Sequence, residues 1–156
     1  MTNTHSETER TAAVAAGWPE LAEGQRTWEV AVVEFVLADL GYYGHRNVDE
    51  RFGPALTEAL TAYQDDRGRE ATGRVDAATW GQLTDDFGLV RRGHEGARVR
   101  AAQYALNEGH GSDLAVDGIF GPATLAAVES FQQEAGIEDD GVVGPNTFTS
   151  LITHGS

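Results

Sequence analysis

Five histidines (His5, His45, His94, His110 and His154) and twenty-five acidic residues are the groups with which this 156-residue chain could move a proton or hold a cation. Their spacing points away from both. No H-E-x-x-H pattern puts two imidazoles on one helix face. His110 stands three residues before Asp113, but Gly111 and Ser112 between them mark a turn. Asp139-Asp140-Gly141 lacks the alternating ligands and closing Glu of a calcium loop, and Asp140 serves better as the cap of its own turn. The pairs Asp65-Asp66 and Asp85-Asp86 follow helical runs and read as solvated. None of the five serines lies in G-x-S-x-G, and no nucleophile has an evident base. With no cysteine there is no thiolate metal site and no disulfide. The sequence predicts no catalysis, no metal and no cofactor.

The strongest local signal is a turn that leads into a helix. In Val116-Asp117-Gly118-Ile119-Phe120-Gly121-Pro122, Asp-Gly makes a tight turn because Gly takes positive φ freely. Pro122 then suits the first helical position, where its missing N–H costs nothing. Thr124, Ala127, Val128, Phe131 and Ala135 recur at i, i+3, i+4, i+7, which predicts one buried helix face. Gly136 closes that helix, and Asp140-Gly141-Val142-Val143-Gly144-Pro145 opens another carrying Phe148 and Leu151. Sixty-eight residues upstream the pattern recurs without a gap: Val48-Asp49-Glu50-Arg51-Phe52-Gly53-Pro54, Gln64, Gly68, Gly73, Trp80 and Leu83 lie over Val116 to Leu151. Upstream again, Leu21 to Leu37 matches Val90 to Leu106 at an offset of 69, so the one-residue change falls in a loop. A fixed-offset repeat is a duplicated structural unit.

The fold these elements predict is all-α. Two tandem small three-helix bundles with Gly-rich turns occupy residues 21–86 and 87–156, after a short N-terminal helical arm over residues 1–20. In the arm, Ser6 and Glu9 form a capping box. The expected cores are Val30, Val33, Leu37, Phe52, Leu60, Tyr63, Trp80 and Leu83 in the first unit. In the second they are Val99, Ala102, Leu106, Phe120, Val128, Phe131, Phe148 and Leu151. Helices are expected over about 54–67 and 77–83, with Asp76 as an N-cap. Phe87, Leu89 and Val90 are expected to be buried between the units, and Val48, Val75, Val116 and Val143 to be short extended pairing segments. Net charge is −14, which disfavours nucleic acid and anionic membranes as partners. Every one of the eleven basic residues is arginine, which reads as codon bias of a GC-rich genome rather than as a site. There is no apolar run of membrane-spanning length. Ala12 to Ala16 is too short and wrongly flanked for a signal peptide. That leads to the expectation of a chain cytoplasmic as made, and wall-associated if released by a non-classical route.

The second unit, Gly93…Val99-x-x-Ala102-Gln103-x-x-Leu106…Val116-Asp117-Gly118-x-Phe120-Gly121-Pro122-x-Thr124…Phe131-Gln132…Gly136…Asp140-Gly141-x-Val143-Gly144-x-x-Thr147-Phe148-x-x-Leu151, resembles the bacterial peptidoglycan-binding domain that accompanies cell-wall hydrolases. The first unit resembles it less. Glu50 replaces the turn Gly, Leu56 the helix Thr, Thr72 the second-turn Asp and Asp76 a Gly. The resemblance implies a small three-helical fold and non-catalytic binding of the cell wall by tandem modules.

The signature residues themselves read as core and turn geometry, so a wall-binding groove is expected to use polar and aromatic loop residues. The candidates are Asn107, His110, Asp113, Asp117 and Gln132 in the second unit, and Tyr42, Tyr43, Asn47, Asp49 and Gln64 in the first. Tyrosine faces would stack on sugar rings, and amides would bond hydroxyls or stem-peptide groups. Gln64 and Gln132 read equally well as helix-to-loop hydrogen bonders. The second unit, with both turns intact, is expected to carry most of the binding, and Asn107 to be exposed and cheap to truncate. The expected partners are peptidoglycan glycan and stem peptide, with a cell-wall hydrolase as a further one. The alternative is an adaptor or structural protein of a phage-like or injection assembly that uses the same fold for protein contacts.

Overall fold

The computed structural model describes residues 17–153, so the predicted N-terminal helix from Ser6 to Ala16, together with His5 and His154, lies outside the described residues. The remaining helices are α1 (Trp28–Asp39), α2 (Pro54–Asp66) and α3 (Ala77–Phe87), then α4 (Ala97–His110), α5 (Pro122–Ala135) and α6 (Pro145–Thr153). A single 3-10 turn, His45–Asn47, follows α1. The chain is thus all-α, in two tandem copies of one three-helix unit. α2 and α5 begin on Pro, and Asp76 caps α3 by accepting the Thr79 N–H at 3.0 Å. All sixteen expected core residues are buried.

Three expectations are corrected. α3 runs one turn beyond Leu83 to Phe87, where Gly88 ends it at φ 68°. Leu89 is exposed at 43%, because only its neighbours Phe87 and Val90 turn inward. Val75 and Val143 do form extended bridges, but with Leu21 and Val90 at the entrance of each unit rather than with Val48 or Val116. Backbone bonds of 2.9–3.1 Å in both directions close each of these bridges. Among the described residues the only β-structure is such isolated bridges, with Arg26–Arg51 and Glu95–Ile119 as the second equivalent pair.

The units pack through α1 and α4. Every α1 residue from Val30 to Ala38 is buried, including the face that points away from its own unit. A helix apolar all round is a helix with neighbours on all sides. On α4, Ala101 and Ala105 are buried opposite Val99, Ala102 and Leu106, and these small residues let α1 approach. The helices run antiparallel: Asp39 at the end of α1 pairs with Arg98 at the start of α4 at 3.2 Å. At the other end, a Cβ on Gly109 of α4 would lie 2.7 Å from the Trp28 ring. Phe87 of the first unit stacks on Phe148 of the second, with centroids 4.6 Å apart. At the described edge of the arm, Trp18 stacks on Trp80 at 5.2 Å, and Trp80 Nε1 donates to the Pro19 carbonyl.

Candidate functional site

A buried glutamine clasp shapes the loops of both units. Gln132, fully buried in α5, accepts the Gly141 N–H at 3.0 Å on Oε1. Its Nε2 faces Asp140 Oδ1, the Val142 carbonyl and Thr147 Oγ1, each at 3.0 Å. Gln64 does the same for Gly73, the Arg74 carbonyl, Thr72 and Thr79. Gln103 does it for Gly118, Asp117, the Ile119 carbonyl and Thr124. One side chain thus satisfies both the backbone of a tight turn and the hydroxyl of the next helix, where water cannot. The fourth turn departs from the pattern. Glu34 stands where Gln103 would, Glu50 in place of Gly118 and Leu56 in place of Thr124. Glu34 Oε1 accepts the Asp49 N–H at 2.8 Å, while the buried Oε2 has no partner.

The first turns of the two units, Val48 to Pro54 and Val116 to Pro122, wall three concavities. In the first unit one of about 520 Å³ is lined by Tyr43, Asn47, Asp49, Arg46, Arg51 and Pro54, among others. Its equivalent in the second unit holds about 220 Å³ between Leu114, Asp117 and Pro122, at matching positions of the repeat. A third, of about 550 Å³, lies between the units, where Phe35 and Arg46 face Glu95, Arg100, Asp117 and Ile119.

The expected site residues divide accordingly. Tyr43, Asn47 and Asp49 come together in the first-unit concavity, and Asp117 lies between the other two. The Ile119 N–H and the Gln103 amide hold the Asp117 carboxyl below its ordinary range, so it is ionised. Burial, with Glu34 close by, pushes the Tyr43 phenol well above its ordinary value. Gln64 and Gln132, at 1% and 0% exposure, are spent on their turns and are out of reach of a ligand, which is the helix-to-loop role. Asn107 is half-buried, not exposed: its amide bonds both backbone groups of Leu114 at 2.8 Å and braces the loop. His110 Nε2 lies 2.8 Å from the Leu151 carbonyl with its ring against Phe131, so it belongs to the packing. Tyr42 donates to Asp66 at 2.5 Å and takes a bond from Arg67, away from the concavities. Asp113 is exposed.

Sequence reasoning missed Phe35, Arg46, Arg51, Arg100 and Ile119 at these walls. Reading arginine as codon bias hid the three arginines. The available signal was that Arg46 and Arg51 fall on and beside a duplicated turn. Among the described residues no three His, Asp or Glu gather as a cation would need, and no helix is long and apolar enough to cross a membrane.

The sequence pattern of the family described as "Putative peptidoglycan binding domain" matches residues 29–83 and 95–151. The zinc D-Ala-D-Ala carboxypeptidase of Streptomyces albus G is 44% identical over 66 residues, 41% of this chain and 26% of that enzyme. The N-acetylmuramoyl-L-alanine amidase CwlM of Mycobacterium tuberculosis is 32% identical over 149 residues, 82% of this chain and 36% of that enzyme. This chain therefore spans from about a quarter to just over a third of the length of these relatives. A solved peptidoglycan-binding protein of Clostridioides difficile, in complex with glutamine hydroxamate, superposes with a TM-score of 0.43 at 36% identity, over 45% of this chain and 44% of that one. With both units matched, over most of their length, this chain belongs to the peptidoglycan-binding domain family, as two tandem copies.

Proposed function

We propose that this chain binds peptidoglycan without cleaving it, through concavities beside the first turn of each unit. One observation carries the reading: a concavity recurs at equivalent positions of both copies, Val48 to Ala55 and Val116 to Ala123, inside the matched family regions. The relatives named for wall hydrolysis each extend far beyond the part that resembles this chain, which supports binding rather than catalysis as the shared element. Weak sites on one polymer gain from each other when both engage. The partner is then the glycan with its stem peptides, and a wall hydrolase is the natural neighbour of such a module.

The test is sedimentation of the full chain with purified, insoluble peptidoglycan, together with dye release from labelled wall. The expected result is a bound fraction that rises with wall mass and no released dye. A chain that stays in the supernatant on walls of several bacterial types overturns the binding reading and leaves the protein-contact alternative. Released dye overturns the non-catalytic part alone.

A further inference from the structure

The first-unit concavity and the one between the units adjoin at Arg46, which lines both. Together they make one groove from the turn of the first unit to that of the second. Its chemistry contrasts with the rest of the molecule. In a chain of net charge −14, Arg46 and Arg51 share one wall, and neither side chain has an ion-pair or hydrogen-bond partner. Arg67 is committed to Asp86 at 2.9 Å, Arg98 to Asp39, and Arg100 to the Val116 carbonyl at 2.7 Å, whereas Arg74, Arg91 and Arg92, outside the groove, are exposed as Arg46 and Arg51 are. Arg26, also exposed, sits opposite Arg51 in an extended bridge and adds to the local positive charge.

Free guanidinium forks select oxyanions, above all carboxylate and phosphate, which they hold with two parallel bonds. The remaining walls choose between these two. Asp49, Glu95 and Asp117 also line the groove and would repel a polyphosphate. They suit a ligand whose isolated carboxylates alternate with N–H donors. Phe35 and the 53%-exposed Ile119 add an apolar floor.

We propose that this groove is one composite site, spanning both units, for a carboxylate-bearing peptide segment of the wall polymer, with Arg46 and Arg51 holding the carboxylate. The assignment rests on the peptidoglycan reading above, but makes a narrower claim about which part of the polymer is held and where. The large concavity of the first unit and the junction then dominate recognition, in place of the second unit alone.

The experiment titrates the full chain with a soluble muramyl peptide as the free acid and with its carboxamide. The variants are Arg46→Gln, Arg51→Gln and, as a control outside the groove, Arg92→Gln, each with an unchanged urea midpoint. Losing a charge-assisted bond should weaken free-acid binding about tenfold for Arg46→Gln and Arg51→Gln. The carboxamide should bind weakly to all forms, and Arg92→Gln should match the parent. Equal binding of acid and carboxamide, or equal loss in Arg92→Gln, overturns the proposal. So does stronger capture of a phosphate-bearing wall polymer, or no binding of the soluble peptide by a chain that sediments with whole wall. Failure of the parent chain to sediment with any wall is the separate failure of the binding reading.

Discussion

Tyr104 in α4 of the second unit donates a 2.6 Å hydrogen bond to Glu50 Oε2 in the first unit's turn. Tyr104 is the repeat equivalent of Phe35, and the two rings meet at 5.9 Å, which puts an approximate two-fold axis between them. On one side of that axis stand Glu50 and Tyr104, joined. On the other stand Gly118 and Phe35, which leave the inter-unit concavity open. The residue that looks like erosion of a turn glycine is therefore a cross-unit contact. Its backbone avoids positive φ, and its carbonyl still accepts the Thr27 N–H at 3.1 Å.

Burial and Glu50 both raise the Tyr104 phenol above its ordinary pKa, so it remains a donor throughout neutral and mildly alkaline pH. Tyr104→Phe and Glu50→Gln should each destabilise the full chain. Their coupling in a double-mutant cycle should be about 1 kcal/mol. Additive urea midpoints would show that the contact contributes nothing.

The glutamine clasps make a second prediction. Gln132→Ala leaves the Gly141 N–H and the Thr147 hydroxyl buried without their partner, and should cost about 1–3 kcal/mol. Asp113→Ala, at an exposed position, should cost less than about 0.5 kcal/mol. Asn107→Ala should fall between them, since it frees both backbone groups of Leu114. Urea denaturation of the three variants checks the order. A Gln132 variant no weaker than the Asp113 variant would refute the clasp.

The fold was legible because period and repeat agree. Each helix has an apolar stripe, a Pro or Asp start and a turn glycine, and the second copy repeats the text of the first. What the sequence hid depends on three-dimensional neighbours. Ala31, Val32 and Val36 of α1 look surplus to one core until α4 covers them. Gln64 and Gln132 are polar residues near the ends of their helices, and only their burial separates a clasp from a ligand group. Arg46 gains meaning only when Glu95 and Asp117, far away in sequence, face it across the groove.

The shared α1–α4 interface makes each unit dependent on the other. Residues 89–156 alone would expose Ala101, Ala105 and Phe148, which the first unit now helps to cover. Small units have little core of their own. The fragment should unfold at a clearly lower urea concentration than the full chain. The same midpoint for both would mean that the interface contributes no stability.

Glu34 gives the chain a specific pH dependence. Its carboxyl is buried among apolar α1 neighbours, with one oxygen on the Asp49 N–H and the other unpartnered. Burial raises its pKa from 4.5 to about 8, against the opposing effect of the Asp49 N–H and the neighbouring Tyr43. The neutral acid stands at the position that the Gln103 side chain occupies in the second unit. The native state therefore holds this proton between pH 4.5 and about 8, while the unfolded state has released it. Stability contributed by Glu34 is complete below the unfolded value and is lost as pH rises through the folded one. Glu34→Gln restores a permanent donor to the turn. It should raise stability at pH 8 by roughly 1–3 kcal/mol, the scale of one buried unsatisfied polar group. It should also flatten the decline in urea midpoint between pH 5 and 8. If parent and variant have parallel pH profiles over that range, Glu34 is not the titrating group and its carboxyl is ionised in the native state.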